Sequence, residues 1–213
     1  MTIDVQKTTS AKRDVNIHLC ERSTPLYKSP HVCRWSCCCR QQRQMSEQKK
    51  KNKKNMSKTK KRLLFICLGN ICRSPAAEGV MKKMVADAGL AAGYEIDSAG
   101  IGDWHVGQLP DSRMRNCGAR RGYNFNSRAR QFDKTVDFDR FDNILVMDKN
   151  NYRAITSMAP DDEARDKVHM LTDYCVEHAG AEAVPDPYYG DESDFFYALD
   201  LIEDACRGLL GAE

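Results

Sequence analysis

Leu63-Leu64-Phe65-Ile66-Cys67-Leu68-Gly69-Asn70-Ile71-Cys72-Arg73-Ser74-Pro75 is the stretch whose reading decides the fold of this chain. Its first four residues form a short apolar run of the kind that is buried on both faces of a parallel sheet, and a strand there delivers Cys67 to its carboxyl end. Beyond it, Ser74 is a good N-cap and Pro75 suits the first helical position, while Ala77, Val80, Met81, Met84, Val85 and Ala88 recur at helical spacing. Cys67 to Arg73 is therefore a loop at a helix N-terminus. Unpaired backbone N–H groups and the positive end of the helix dipole converge on such a loop and favour an anion. Gly69 and Asn70 are residue types that tolerate left-handed backbone angles, which a loop with several inward N–H groups tends to need.

The same field favours the thiolate form of Cys67, assisted by the Arg73 guanidinium and the Ser74 hydroxyl. Arg73 presents a planar fork of donors that matches two phosphate oxygens in a way that a lysine cannot. Nucleophile and phosphate clamp thus share one loop. The bare spacing is not specific, since Cys37 and Arg43 repeat it, but that pair has no preceding strand, no Gly or Asn between and no helix start after. Cys72, inside the same loop, places a second thiol beside the first, an arrangement that oxidises to a disulfide before sulfinic acid is reached. Asp186 precedes Pro187, which holds it in extended geometry, and on local sequence it reads either as a turn residue or as a carboxylate leaning over a pocket.

Outward from this centre, strand and helix alternate. Strands are expected at Tyr94 to Ser98, Asn143 to Met147 and Val168 to Leu171. Helices are expected at Pro110 to Arg121, Asn150 to Met158 and Asp194 to Leu210, the last with Phe195, Phe196, Leu199, Ile202, Cys206, Leu209 and Leu210 as its inward stripe. This alternation predicts an α/β fold with right-handed crossovers and a parallel sheet flanked by helices, ligands binding at the carboxyl ends of the strands.

Cys67 to Pro75, with Asp97-Ser98-Ala99-Gly100 and Asp186-Pro187-Tyr188-Tyr189-Gly190 following in order, resembles the low-molecular-weight protein tyrosine phosphatases from about Lys61 to the C-terminus. The resemblance implies a three-layer architecture with four parallel strands and the catalytic loop between the first strand and the first helix. It implies hydrolysis of phosphotyrosine monoesters, with Cys67 as nucleophile, Arg73 as phosphate clamp, Asp186 as general acid and base, and no metal or other cofactor. Leu68, Gly69, Asn70, Ile71, Cys72, Ser74, Trp104 and Tyr188 are the expected substrate and phosphate contacts, Asn70 and Ser98 the loop supports, and Cys67 with Cys72 the redox pair. Ser127 departs from the pattern, because animal members often carry a loop-supporting histidine there. Expected partners are phosphotyrosine proteins and a tyrosine kinase, Tyr188 and Tyr189 matching positions that are phosphorylated in some members of the family, and the expected state is a monomer. Two alternatives share the fold: protein arginine phosphatases, which carry threonine at the position of Ile71, and thiol-dependent arsenate reductases, which need two relay cysteines, whereas Cys117, Cys175 and Cys206 are widely spaced here.

Composition divides the chain near residue 60. Its 213 residues carry a net charge of +3, yet residues 1–62 hold 17 Lys and Arg against 4 Asp and Glu, and residues 63–213 hold 16 against 26. The first part is thus +13 and the rest −10, which argues against nucleic acid as a partner of the second part. Residues 1–60 lack periodicity and end in a lysine run, so disorder is expected for this extension and a phosphatase domain for 61–213. A basic arm, a metal site at His31, Cys33, Cys37, Cys38 and Cys39, and a targeting role are each weakly supported; Met45 or Met56 as the native start competes with all three. With no secretory core or membrane-spanning run in the sequence, no membrane partner and a cytoplasmic location are expected.

Overall fold

The structure, a computed structural model, describes residues 60–211. Residues 1–59, which carry the expected disorder, the candidate metal site at His31, Cys33, Cys37, Cys38 and Cys39, and both Met45 and Met56, lie outside the described residues. Four strands, β1 (Lys61–Cys67), β2 (Tyr94–Gly100), β3 (Asn143–Val146) and β4 (Val168–Met170), form one sheet in the order β2-β1-β3-β4, every pairing parallel. β1 is central because its apolar run can be buried on both faces. Leu63 and Phe65 belong to one core and Leu64 and Ile66 to the other, all four fully buried. The alternation that places them so is the pleat itself.

The first core is closed by α1 (Arg73–Asp87) and α6 (Glu192–Gly211), which pack on each other as well as on the sheet. Between β2 and β3 lie α2 (Ser112–Arg120) and the single turn α3 (Asp137–Arg140). The second core lies on the opposite face, where α4 (Lys149–Met158) contributes Ile155 and the short α5 (Asp162–Asp166) contributes Ala164.

Several sequence expectations need adjustment. Ser74 is not the N-cap of α1: that position is Cys72, and the Ser74 hydroxyl is engaged instead with Cys67 and Asn70. Pro75 accordingly sits third in the helix, still within the first turn where its missing N–H costs nothing. Ala88 lies past the helix end and is exposed. Gly69 does not have a positive φ, whereas Asn70 does, at 53°, the one non-glycine to do so among the described residues. α2 starts at Ser112 because Asp111 caps it, accepting a bond from the Arg113 N–H at 2.8 Å. α6 begins two residues before the expected Asp194; in its stripe Phe196 and Leu210 are only half-buried while Ala198, Leu201 and Ala205 complete the buried face.

One aromatic ring spaces the helices that carry the site. Phe125 is buried with Gly79 of α1 at one edge of its ring and Gly118 of α2 at the other, and a Cβ at either glycine would fall well inside van der Waals contact of the ring. Tyr123 stacks on Phe125 with ring centroids 5.9 Å apart.

Candidate active site

The carboxyl ends of β1 and β3 and the segment leading to Asp186 converge on Arg73. This side chain is 3% exposed. Its Nη1 donates to Asp148 Oδ2 at 2.7 Å and to the Val184 carbonyl at 3.2 Å, and its Nη2 donates to Asp186 Oδ2 at 2.7 Å. Burial alone would lower its pKa, but the charges of Cys67, Asp186 and Asp148 outweigh burial and hold it above the ordinary arginine value. Arg73 Nε is buried with no protein partner among the described residues, so the fork keeps a donor in reserve. Asp148 was not foreseen. It caps α4 by accepting from the Asn151 N–H at 2.8 Å while its second oxygen holds Arg73, and an aspartate between a buried strand and a helix was the signal that could have revealed it.

The loop itself is shaped by its carbonyl groups. Those of Cys67, Leu68 and Ile71 are taken by the N–H groups of Ile101, Gly102 and Asp111, at 3.1, 2.8 and 2.8 Å. A loop whose carbonyls are drawn outward turns its N–H groups inward, which makes an anion nest at the start of α1. Gly100 permits this arrangement: a Cβ there would lie 2.9 Å from the Gly69 carbonyl carbon and 3.0 Å from the Asn70 nitrogen. At Gly69 a Cβ would reach to 3.0 Å from His105, so this glycine clears space for that ring and not for an unusual backbone angle.

Cys67 Sγ lies 3.0 Å from Ser74 Oγ. Asn70 Nδ2 donates to Ser74 Oγ at 2.9 Å and to Ser98 Oγ at 2.8 Å, and Asn70 Oδ1 accepts from the Arg130 N–H at 2.9 Å. Glu78, which is buried, and Arg130, which is partly buried, complete this set and had no local signal in the sequence. Ser127, where the resemblance suggested lost support, makes no hydrogen bond to this set among the described residues, and Arg130 supports Asn70 instead through its backbone.

A slot of about 390 Å³ opens above Cys67, lined by Leu68, Gly69, Ile71, Cys72, Arg73, Trp104, His105, Asp186, Tyr188 and Tyr189. Of the expected contact residues, Asn70 and Ser74 do not line it; they lie buried behind the loop beside Ser98. Trp104 and Tyr188 are 57% and 37% exposed, so they stand as walls of the mouth. Tyr188 is steadied by Arg113, whose Nη2 donates to its carbonyl at 3.0 Å and whose guanidinium lies 5.6 Å from its ring centroid. Burial pushes the Cys72 thiol pKa up, and the charges of Asp111, Cys67 and Asp186 push the same way. No group of metal-ligating side chains is found among the described residues, and no described helix is long and apolar enough to cross a membrane.

Residues 62–213 match the family model described as low molecular weight phosphotyrosine protein phosphatase. A relative from Synechocystis sp. is 50% identical over 149 residues, 70% of this chain and 94% of that protein. The human low molecular weight phosphotyrosine protein phosphatase is 37% identical over 151 residues, again 70% and 94%. Among solved structures, a protein tyrosine phosphatase from Entamoeba histolytica with Hepes in its active site superposes with a TM-score of 0.67 at 45% identity, over 70% of this chain and 94% of that one. A Drosophila arginine phosphatase superposes with a TM-score of 0.65 at 31% identity, over 70% and 96%.

Proposed function

Because the chain belongs to the low molecular weight phosphotyrosine protein phosphatase family, we propose that it hydrolyses phosphotyrosine monoesters of proteins through a phosphocysteine intermediate. The observation that carries this reading is the single slot in which Cys67, the Arg73 fork and Asp186 meet under an aromatic mouth. The Cys67 thiolate attacks phosphorus in line, the bond to the tyrosine oxygen breaks, and Asp186 gives that oxygen its proton. Water then attacks phosphorus, Asp186 takes up the proton released, and the sulfur–phosphorus bond breaks to return the thiolate and inorganic phosphate. Arg73 and the inward N–H groups carry the charge on the equatorial oxygens in both steps. The chemistry calls for no metal.

Ile71 and the walls Trp104 and Tyr188 favour a phenyl ring. The guanidinium of phosphoarginine would find only methyl groups at Ile71, leaving a buried donor unpaired at about 1–3 kcal/mol. Residues 61–213 form the catalytic domain in this reading, acting as a monomer, and Cys72 guards Cys67 by forming a disulfide under oxidation. Replacing Cys67 with serine tests the mechanism: turnover of p-nitrophenyl phosphate should vanish while inorganic phosphate still binds. Appreciable residual hydrolysis removes Cys67 from the nucleophile's role.

A further inference from the structure

The hydroxyl and amide hydrogens behind the loop have directions that can be worked out from their two ends. At one end Asn70 Oδ1 faces the Arg130 backbone N–H at 2.9 Å, an obligate donor, so the amide is oriented and both Nδ2 hydrogens point the other way. Ser98 and Ser74 each accept one of them, at 2.8 and 2.9 Å. At the other end Ser98 Oγ lies 2.6 Å from Glu78 Oε2, and a carboxylate can only accept, so the Ser98 hydrogen is committed to Glu78. The Ser74 hydrogen is left to choose between Cys67 Sγ at 3.0 Å and the Ala99 carbonyl at 3.4 Å, and the shorter contact is the sulfur. Glu78 is 3% exposed, and its other oxygen Oε1 is bound by Lys82, one turn along α1, whose side chain is 52% exposed.

We propose that Glu78, with Lys82 as its surface counter-ion, is a positioning residue that sets the polarity of this hydrogen-bond chain and so aims the Ser74 O–H at Cys67. The inference rests on Cys67 being the nucleophile. Its effect falls where the thiolate is the leaving group, in hydrolysis of the phosphocysteine, because a donor at sulfur stabilises the charge that forms there.

The pair makes a reversal possible. In Glu78→Gln, Lys82 binds the side-chain carbonyl and turns the amide N–H₂ toward Ser98. The Ser98 hydrogen is then driven back on Asn70, which can accept it only by flipping and giving up its bond from the Arg130 N–H, and a flipped Asn70 draws the Ser74 hydrogen away from sulfur. Adding Lys82→Glu supplies an acceptor for the amide, returns the carbonyl to Ser98 and restores the original direction. In the full chain, Glu78→Gln should lower kcat about tenfold or more, as expected for losing a hydrogen bond to a charged group. KM should fall with it and the pre-steady-state burst should grow, while inhibition by inorganic phosphate is unchanged. The double variant should recover most of the loss, which no general loosening of the core would do.

Wild-type kcat in Glu78→Gln, or a double variant no faster than the single one, overturns the proposal. If Glu78→Gln fails to fold, neutron diffraction of the deuterated wild type decides: deuterium on Ser74 facing Cys67 and on Ser98 facing Glu78 supports it, and deuterium on Ser74 facing Ala99 overturns it. Those positions do not depend on which residue is the nucleophile, so a failure of that assignment, shown by an active Cys67→Ser, is distinguishable.

Discussion

Replacing Asp186 with alanine should separate two roles of one carboxylate. Asp186 Oδ2 lies 2.7 Å from Arg73 Nη2, and its side chain is 43% exposed. An oxyanion entering the slot competes with that carboxylate for the fork. An ion pair whose carboxylate is this exposed contributes about 0.2–1 kcal/mol, so its removal should tighten inorganic phosphate binding by about 1.4- to 5-fold. Arg73 itself stays in place, because Nη1 keeps Asp148 and the Val184 carbonyl. Catalysis should move the opposite way. A general acid contributes about 10² to 10⁴ in rate, and the whole of that loss should appear with phenyl phosphate, whose leaving oxygen needs the proton. p-Nitrophenyl phosphate, with its stable leaving group, should lose far less. Steady-state kinetics with the two esters and competitive inhibition by phosphate give all three quantities. Equal losses for both esters would remove Asp186 from the acid's role, and weaker phosphate binding would refute the competition for Arg73.

Ile71→Thr should shift preference from phosphotyrosine toward phosphoarginine peptides, measured as the ratio of kcat/KM values; a wild type that already prefers phosphoarginine would overturn the substrate assignment while leaving the mechanism intact. Cys72→Ser should make peroxide inactivation harder to reverse with dithiothreitol, and unchanged reversibility would show that Cys72 only packs. Asp204, 1% exposed, accepts from the Glu177 and His178 N–H groups and faces His178 Nδ1; burial opposes its charge, but these bonds hold its pKa down to about 2. The stability it contributes is therefore full above the ordinary carboxylate pKa of about 3.9 and is lost as pH falls through about 2. Asp204→Asn should lower the melting temperature at neutral pH, with the gap to wild type closing as the pH is taken from about 4 toward 2; a gap independent of pH would refute the assignment.

Where periodicity carried the signal, the sequence was legible: the buried run before Cys67, the strands at Tyr94, Asn143 and Val168, and the long stripe of α6 all form close to where hydropathy puts them. What eluded it shares a physical cause, namely that one residue type serves two ends. Ser74 looks like a cap because serine oxygens accept from helix N–H groups, but here the same oxygen is turned to sulfur and amide. Asp148 caps α4 with one oxygen, yet its second oxygen reaches an arginine 75 residues away in sequence. Glu78 sits on the buried face of α1, where charge is unexpected, and only the approach of β2 supplies the Ser98 hydroxyl that receives it. Long-range pairing of this kind leaves no trace in local spacing.

The ring of Phe125 between Gly79 and Gly118 acts as a spacer gauge for the slot. α1 carries the loop at its start, and the segment that opens α2 grips the loop and one wall, with the Asp111 N–H on the Ile71 carbonyl and Arg113 on the Tyr188 carbonyl. The width of one phenyl ring from edge to edge therefore fixes how far the floor of the slot stands from its side. Positions 79, 118 and 125 consequently share a single volume constraint, and drift at one is tolerated only with a compensating change at another. A paired substitution that trades ring for methyl at these sites, none of which lines the slot, is thus a handle on the width of the mouth that leaves every residue touching the phosphate untouched.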